Sequence, residues 1–192
     1  MTTLLDAQTY TNITGDAPGD DFAALYERAV NRLGAAIGQP IEDHFHTEEL
    51  RVWEDGWAYP TRGPITSAED GDDELTHDGI RIQTYRRGRG ERYPLTYSAG
   101  WTDETIPEQV VEALAWAVHT FKNPSHDLGP VGSIPSNVTA LMVAGEFQVS
   151  LSGGHVVAAD GLAVPAKWGA YADLGGKALL LVTPYRRKGR VA

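Results

Sequence analysis

Residues 93–114 form the stretch YPLTYSAGWTDETIPEQVVEAL, which contains the change from strand to helix that decides the predicted fold. Tyr93–Tyr97 is predicted as a strand. Pro107 suits the first turn of a helix, where its missing N–H costs no hydrogen bond, and Glu108 complements the helix dipole. An apolar stripe at helical spacing then continues until Asn123-Pro124 ends the helix, through Val110, Val111, Leu114, Ala115, Val118 and Phe121.

A similar amphipathic helix is predicted earlier in the chain, over residues 20–37. Gly38 and Pro40 end it, because glycine suits the position after a helix and proline cannot continue one. Its apolar positions are Phe22, Leu25, Tyr26, Ala29, Val30, Leu33 and Ile37. We expect this helix to pack on the one that follows Pro107, and we expect a short helix over Thr2–Tyr10.

The residues between the two long helices, Ile41–Tyr97, predict an antiparallel sheet. Apolar and polar residues alternate there with period two, and Asp55-Gly56 is a hairpin turn signal. Gly79–Tyr85 and Tyr93–Tyr97 are expected to form a further hairpin, joined by a basic turn over Arg86–Arg92.

The chain changes in composition after Pro124 and becomes rich in strand and turn signals. Phe147–Leu151 predicts a strand, which Gly153-Gly154 would turn into a partner over His155–Ala158. Ala166–Val182 fits a broken helix, whereas Ala178–Thr183 alone fits a buried strand.

The predicted fold class is therefore α+β. It is a small helical bundle with an inserted antiparallel β-hairpin and sheet region at about residues 41–97, followed by a strand-rich C-terminal extension that ends in a basic tail. We divide the chain into a core of residues 1–124 and an extension of residues 125–192.

Composition excludes several classes of protein. The chain has 192 residues and no cysteine, so disulfides, Cys-ligated zinc and thiol catalysis are ruled out. Its net charge of −10 is poorly suited to gripping nucleic acid, because phosphate binding needs cations. The first residues lack the basic and apolar regions of a signal peptide, and no run of about 18 apolar residues predicts a membrane span.

Few residues are grouped in a way that suggests chemistry. His44, His46 and Glu48 could bind zinc or act as acid and base, but no third ligand follows at a recognised spacing. A polar segment that enters a strand explains them as well. The sequence contains no nucleophile elbow, Walker loop or HExxH motif. We expect no catalytic residue, no metal and no cofactor.

Charged residues fall into three clusters. An acidic loop, expected at a hairpin tip and lacking the residue order of an EF-hand, contains Asp70, Asp72, Asp73 and Glu74. A basic turn contains Arg86, Arg87, Arg89 and Arg92. The basic C-terminal tail contains Tyr185, Arg186, Arg187, Lys188 and Arg190. In a chain this acidic, we expect the basic clusters to contact acidic protein neighbours.

The strand–turn–helix Tyr93–Leu114 resembles a segment of the head-to-tail connector (adaptor) proteins of long-tailed double-stranded DNA phages. Tyr97-Ser98-Ala99-Gly100-Trp101 and Ile106-Pro107-Glu108 carry this resemblance. The early helix and the inserted strands match the same family in order, and Pro184–Arg187 resembles the C-termini of adaptors from phages of actinobacteria. The resemblance covers about the first 125 residues and the tail.

The resemblance implies a structural subunit of the virion neck, at the portal vertex, which is assembled in the host cytoplasm. It implies a homo-oligomeric ring of about twelve copies between the portal protein and a head-closure, stopper or tail protein. Double-stranded DNA would pass through the channel without specific binding, and no membrane or cofactor is implied. In such a ring, the acidic loop is a candidate lumen or subunit-interface loop, the basic turn a candidate subunit interface, and the tail a candidate portal-docking arm.

Three alternatives stay open at this point. One is another neck or tail component, such as a stopper or tail terminator, which would lack two long packed helices. Another is a small metal-dependent hydrolase that uses His44, His46 and Glu48. The third is a DNA-binding accessory protein, against which the net charge of −10 argues.

Overall fold

The computed structural model describes residues 3–53, 55–71, 73–84, 90–123, 140–143, 147–150 and 155–186. Their contacts form two compact units, one of residues 3–37 together with 107–186 and one of residues 38–106. The architecture is α+β, with an antiparallel sheet inserted between two long helices, as the sequence predicted. The division into residues 1–124 and 125–192 stays a prediction.

The helical unit is organised around helix α3, Glu108–Lys122. It contacts α1 (Ala7–Thr14), α2 (Phe22–Ile37) and α4 (Gly176–Val182). The buried positions of α3 are Val110, Ala113, Leu114, Ala115, Ala117, Val118 and Thr120. Burial of each large apolar side chain among them contributes about 1.5–3 kcal/mol. The two predicted long helices and their packing on each other are confirmed.

Helix α1 begins later than the sequence predicted. The Asp6 carboxylate accepts a hydrogen bond from the backbone N–H of Thr9 at 2.7 Å, so Asp6 is the N-cap and the helix starts at Ala7. Gly15 ends the helix with a φ of 74°, a left-handed conformation that glycine adopts without strain. The predicted start at Thr2 is wrong because a capping carboxylate satisfies the first N–H groups four residues further on.

The last described segment is helical. A 3₁₀ helix, Ala166–Leu174, leads into α4 and then into a 3₁₀ turn, Thr183–Tyr185. Ala178, Leu179 and Val182 are buried, whereas Leu180 is 51 % exposed, which is a helical and not an alternating pattern. The broken helix is confirmed, and the alternative of a strand over Ala178–Thr183 is wrong.

Two short hairpins precede this helical segment. Strand β7, Ala140–Val143, pairs with β8, Phe147–Ser150. Strand β9, His155–Val157, pairs with β10, Ala163–Pro165. The strand predicted at Phe147 is confirmed. Its predicted partner, His155–Ala158, is wrong, because each of these strands pairs with a different neighbour.

The described residues of the second unit form six strands: β1 His44–Arg51, β2 Trp57–Ala58, β3 Ile65–Asp70, β4 Asp73–Glu74, β5 Ile82–Gln83 and β6 Arg92–Ala99. Four of them form an antiparallel sheet in the order β1-β6-β3-β4. Strand β5 pairs with β2 and not with β6, so the predicted hairpin of Gly79–Tyr85 with Tyr93–Tyr97 is wrong. Strand β6 is central because its backbone pairs with β1 on one edge and with β3 on the other, while its alternate side chains enter the core.

The strands of this unit, together with two isolated bridges, are paired in a closed order. Single bridges between Val52 and Ala58 and between His77 and Ile82 join the β2–β5 ribbon to the two sides of the four-stranded sheet. The enclosed core consists of Leu50, Val52, Ala58, Ile65, Ala68, Ile82, Tyr93, Leu95, Tyr97 and Ala99. Side chains alternate along each strand, so the neighbours of these residues point outward.

Gly100 explains why the stretch after β6 has its particular sequence. It has a φ of 134°, and a Cβ placed there would lie 2.1 Å from the carbonyl oxygen of Glu42. Trp101 donates its N–H to the carbonyl of Ile41 at 2.9 Å in the same crossing. Only glycine allows two backbones to approach so closely. The turn that follows delivers the chain to Pro107, which precedes α3.

Candidate interaction surfaces

The acidic loop lies at the tip of the β3–β4 hairpin. Glu69 is directly opposite Glu74, and Asp70 is directly opposite Asp73. Glu69, Asp73 and Glu74 are exposed, and Asp72 lies outside the described residues. We call Glu69, Asp70, Asp73 and Glu74 the acidic tip. Like charges that face each other across two strands destabilise a hairpin, so the Glu69–Glu74 pair does not stabilise this one.

The basic turn is only partly described. Arg86, Arg87 and Arg89 lie outside the described residues, whereas Arg92 opens β6 and is exposed. Arg92 is directly opposite Arg51 of β1, so two cations face each other on the sheet. The adjoining backbone is held by hydrogen bonds between Val52 and residues 90 and 91.

An exposed aromatic ring that the sequence analysis missed lies beside these two arginines. Trp53 is 50 % exposed, the Arg51 guanidinium lies 5.5 Å from its ring centroid, and the Tyr59 ring meets it edge-on at 6.4 Å. We call Arg51, Trp53 and Arg92 the Arg–Trp patch. The signal was present in the sequence as Arg51-Val52-Trp53, since a buried valine in a strand places both of its neighbours on the outer face.

The described part of the C-terminal tail is held against the helical unit. The Tyr185 hydroxyl donates a hydrogen bond to Gln109 of α3 at 2.8 Å. The Arg186 guanidinium lies 4.9 Å from the centroid of the buried Trp168 ring. The other predicted docking residues, Arg187, Lys188 and Arg190, lie outside the described residues. Tyr185 and Arg186 therefore anchor the start of the tail.

His46 and Glu48 of β1, two of the candidate metal ligands, take part in a hydrogen-bond network. The Glu48 carboxylate accepts hydrogen bonds from the Tyr97 hydroxyl at 2.7 Å, from the Thr61 N–H at 2.9 Å and from the Thr61 hydroxyl. Arg62 lies 3.8 Å from the same carboxylate and 3.1 Å from Nδ1 of His46. This network fastens the segment after β2 to strand β1.

The network sets the pKa of its members. Burial raises the pKa of Glu48, but the hydrogen bonds from Thr61 and Tyr97 and the charge of Arg62 outweigh it, and the pKa lies below its usual value. Burial and the charge of Arg62 lower the pKa of His46. Burial and the neighbouring Glu48 carboxylate raise the pKa of the Tyr97 hydroxyl. Glu48 is thus held as an anion whose oxygens are already in use.

The described residues contain no group of three or more His, Asp and Glu side chains arranged to hold a metal ion. His44, which the hydrolase alternative also required, lies 3.9 Å from Glu42 instead. Among the same residues, no helix is both long enough and apolar enough to cross a bilayer.

Comparison with known proteins gives similarity to solved structures only. No protein-family model matches the chain, and no curated protein matches it. A chain in the neck of an empty GTA particle, computed with C6 symmetry, is 16 % identical with a TM-score of 0.47, over 68 % of this chain and 83 % of that one. A chain in the neck of the native GTA particle, computed with C12 symmetry, is 13 % identical with a TM-score of 0.45, over 68 % and 82 %. A chain of the virion of a native gene transfer agent (GTA) particle is 14 % identical with a TM-score of 0.46, over 68 % and 84 %.

Proposed function

We propose that this chain is a structural subunit of a phage or phage-like neck, an adaptor that forms a ring beneath the portal and joins the head to the tail. The observation that carries the proposal is the order of its parts. A compact strand unit of residues 38–106 is inserted between two long helices that pack on each other, and the chain re-enters the helices through Gly100 and Pro107. This order is the one that the adaptor resemblance of Tyr93–Leu114 predicts.

The helix pair also separates the proposal from its nearest alternative. Stoppers and tail terminators were expected to lack two long packed helices, whereas α2 and α3 have 16 and 15 residues and are in contact. The contacts of Glu48 argue against the hydrolase alternative, because the carboxylate that was to bind the metal accepts hydrogen bonds from Thr61 and Tyr97. DNA passes through the proposed ring without being held, which suits a net charge of −10 per copy.

The tail is proposed as the portal-docking arm. Its anchored start at Tyr185 and Arg186 leaves Arg187, Lys188 and Arg190 as the cations that would meet an acidic surface of the portal protein. Deletion of residues 187–192 is expected to abolish portal binding and to leave the helical unit folded. The variant Tyr185→Phe keeps every residue of the tail and removes the hydroxyl that donates to Gln109, so it serves as the matched control. The resemblance of Pro184–Arg187 to adaptors from phages of actinobacteria stays a prediction.

The proposal is tested by native mass measurement and negative-stain imaging of the full chain, with and without purified portal protein. We expect a ring whose copy number matches the symmetry of the portal. A chain that remains a monomer in the presence of the portal, or that binds elsewhere on the virion, would refute the adaptor role.

A further inference from the structure

We infer that the outer face of the four-stranded sheet carries both halves of a contact between copies of this chain, in which the acidic tip of one copy docks on the Arg–Trp patch of the next. The inference rests on the proposed ring and names the surface through which neighbouring copies meet. It selects the subunit interface, and not the lumen, as the place of the acidic tip.

The arginine pair and the Glu69–Glu74 pair of the acidic tip lie on one face of the sheet, whereas Asp70 and Asp73 alternate with that glutamate pair. Leu50 and Tyr93 face each other in the core, so the next pair, Arg51 and Arg92, faces outward. In strand β3, toward the other end of the strand order, Ala68 is buried, so Glu69 and its partner Glu74 also face outward. The same face therefore has an arginine pair on β1–β6 and a glutamate pair on β3–β4.

The two pairs are too far apart to neutralise each other within one copy. They are separated by two strand spacings, about 10 Å, across the sheet. Glu69 is level with Thr96, four residues along β6 from Arg92, which adds about 13 Å along the strand. The resulting separation of about 16 Å is twice the screening length of about 8 Å at physiological salt. The sheet therefore has two separate patches of opposite charge, and a partner of opposite charge would stabilise each of them.

The Arg–Trp patch has the composition of a binding site in its own right. Trp and Arg are the residues most often found at the energetic centre of protein interfaces. Trp53 is half exposed, and its ring already holds the Arg51 guanidinium beside it. A carboxylate that approaches this patch meets two cations and a flat apolar ring. The acidic tip offers such carboxylates on an exposed hairpin end.

The Arg–Trp patch adjoins β1–β6 and the acidic tip lies on β3–β4, toward opposite ends of the strand order, so each copy can use one half on each of two neighbours in a heterologous contact. A heterologous contact forms a ring when its rotation closes and an open filament when it does not, whereas two copies that exchange both halves with each other stop at a dimer. The surface therefore fits the closed ring of the proposed function. Charge complementarity would also ensure that the acidic tip of one copy meets the Arg–Trp patch of the next and not its acidic tip.

The absence of cysteine from the sequence makes this contact easy to trap. In the double variant Glu49→Cys/Asp73→Cys, one thiol lies next to Arg51 on the outer face and the other lies in the acidic tip, while Arg51, Arg92, Glu69 and Glu74 are retained. A specific contact raises the local thiol concentration, so we expect about tenfold more disulfide-linked oligomer than in the control variant Asp73→Cys/Asp103→Cys. The oligomers should form a ladder, because each copy has one thiol for each neighbour.

A charge swap separates this contact from random collision. Glu69→Lys/Glu74→Lys and Arg51→Glu/Arg92→Glu, each added to the cysteine variant, should each lower the crosslinked fraction about tenfold, and an equimolar mixture of the two should restore it. Asp103→Lys/Glu104→Lys makes the same charge change away from the sheet and should have no effect. Equal crosslinking in every variant, or no recovery in the mixture, overturns the inference. If rings still form on the portal in that case, the proposed function stands without it; a ladder without any ring on the portal refutes the proposed function and leaves the contact.

Discussion

The hydrogen bond between Tyr97 and Glu48 allows a direct test of whether Glu48 stabilises the fold of the strand unit. The Tyr97 hydroxyl lies in a side chain that is 1 % exposed and donates to the Glu48 carboxylate at 2.7 Å. Glu48→Leu removes the acceptor and leaves a buried hydroxyl unpaired. Hydrogen bonds to charged groups contribute about 1.5–3 kcal/mol, and an unpaired buried donor costs about 1–3 kcal/mol. We expect Glu48→Leu to lower the free energy of unfolding by about 2–4 kcal/mol.

A double-mutant cycle isolates the pair. In the Tyr97→Phe background there is no hydroxyl to leave unpaired, so Glu48→Leu should cost less there, with a coupling energy of about 1.5–3 kcal/mol. Urea denaturation followed by circular dichroism measures all four proteins. The exposed Thr47–Thr96 hydroxyl pair, 3.2 Å apart on the outer face of the same two strands, provides the control cycle. Its coupling should be smaller, because water can replace either hydroxyl. Equal coupling in the two cycles would refute a structural role for Glu48.

Three further predictions concern acid stability and two backbone contacts. The folded pKa of Glu48 lies below its usual value of 4.5, so its contribution to stability is complete above pH 4.5 and is lost as the pH falls through the folded pKa. The lowered pKa of His46 makes acid destabilising from about pH 6.5 downward, so wild type and Glu48→Gln should be compared below about pH 5. The difference between their thermal midpoints should shrink there as the pH falls. Gly100→Ala should lower the free energy of unfolding by at least about 3 kcal/mol, measured by urea denaturation, because its Cβ would lie 2.1 Å from the Glu42 carbonyl oxygen. Asp160→Ala removes the acceptor of the Gly176 and Lys177 N–H groups, at 2.7 and 2.9 Å, and should speed hydrogen exchange at the start of α4 by about tenfold, which corresponds to about 1.4 kcal/mol.

Helices were the part of the fold that sequence predicted best. The stripe from Val110 to Val118 and the stripe in α2 are long, and each is closed by a residue whose chemistry forbids continuation. In such segments the pattern of burial and the local backbone preference agree, so little depends on distant residues. Helix α1 was misplaced because one carboxylate, Asp6, determines its first residue.

Strand pairing could not be predicted in the same way. Strands β5 and β2 are only two residues long, and β5 pairs with β2 because Ile82 and Ala58 share a core with the sheet. Proximity in sequence favoured β6 as its partner. Which strands pair depends on closing the circuit around one core, and that is a property of the whole unit.

The same limit applies to the surfaces. Residue types located the acidic tip at the end of a hairpin, but only strand register shows that Arg51 faces Arg92 and that Glu69 faces Glu74. The importance of Trp53 follows from its position beside Arg51 and not from its identity alone.

The net charge of the chain makes specific charge pairing necessary in the proposed ring. At −10 per copy, about twelve copies would bring together about 120 negative charges, which repel DNA and one another. Screening limits this repulsion to about 8 Å at physiological salt, so most of it acts only between surfaces that nearly touch. A ring can then form only where cations are kept at the contact, and the described sheet has such a pair in Arg51 and Arg92. Raising the salt concentration should weaken the contact between the acidic tip and the Arg–Trp patch while it relieves the general repulsion. Ring formation should therefore show a maximum at intermediate salt, whereas a contact formed by apolar burial alone would only strengthen.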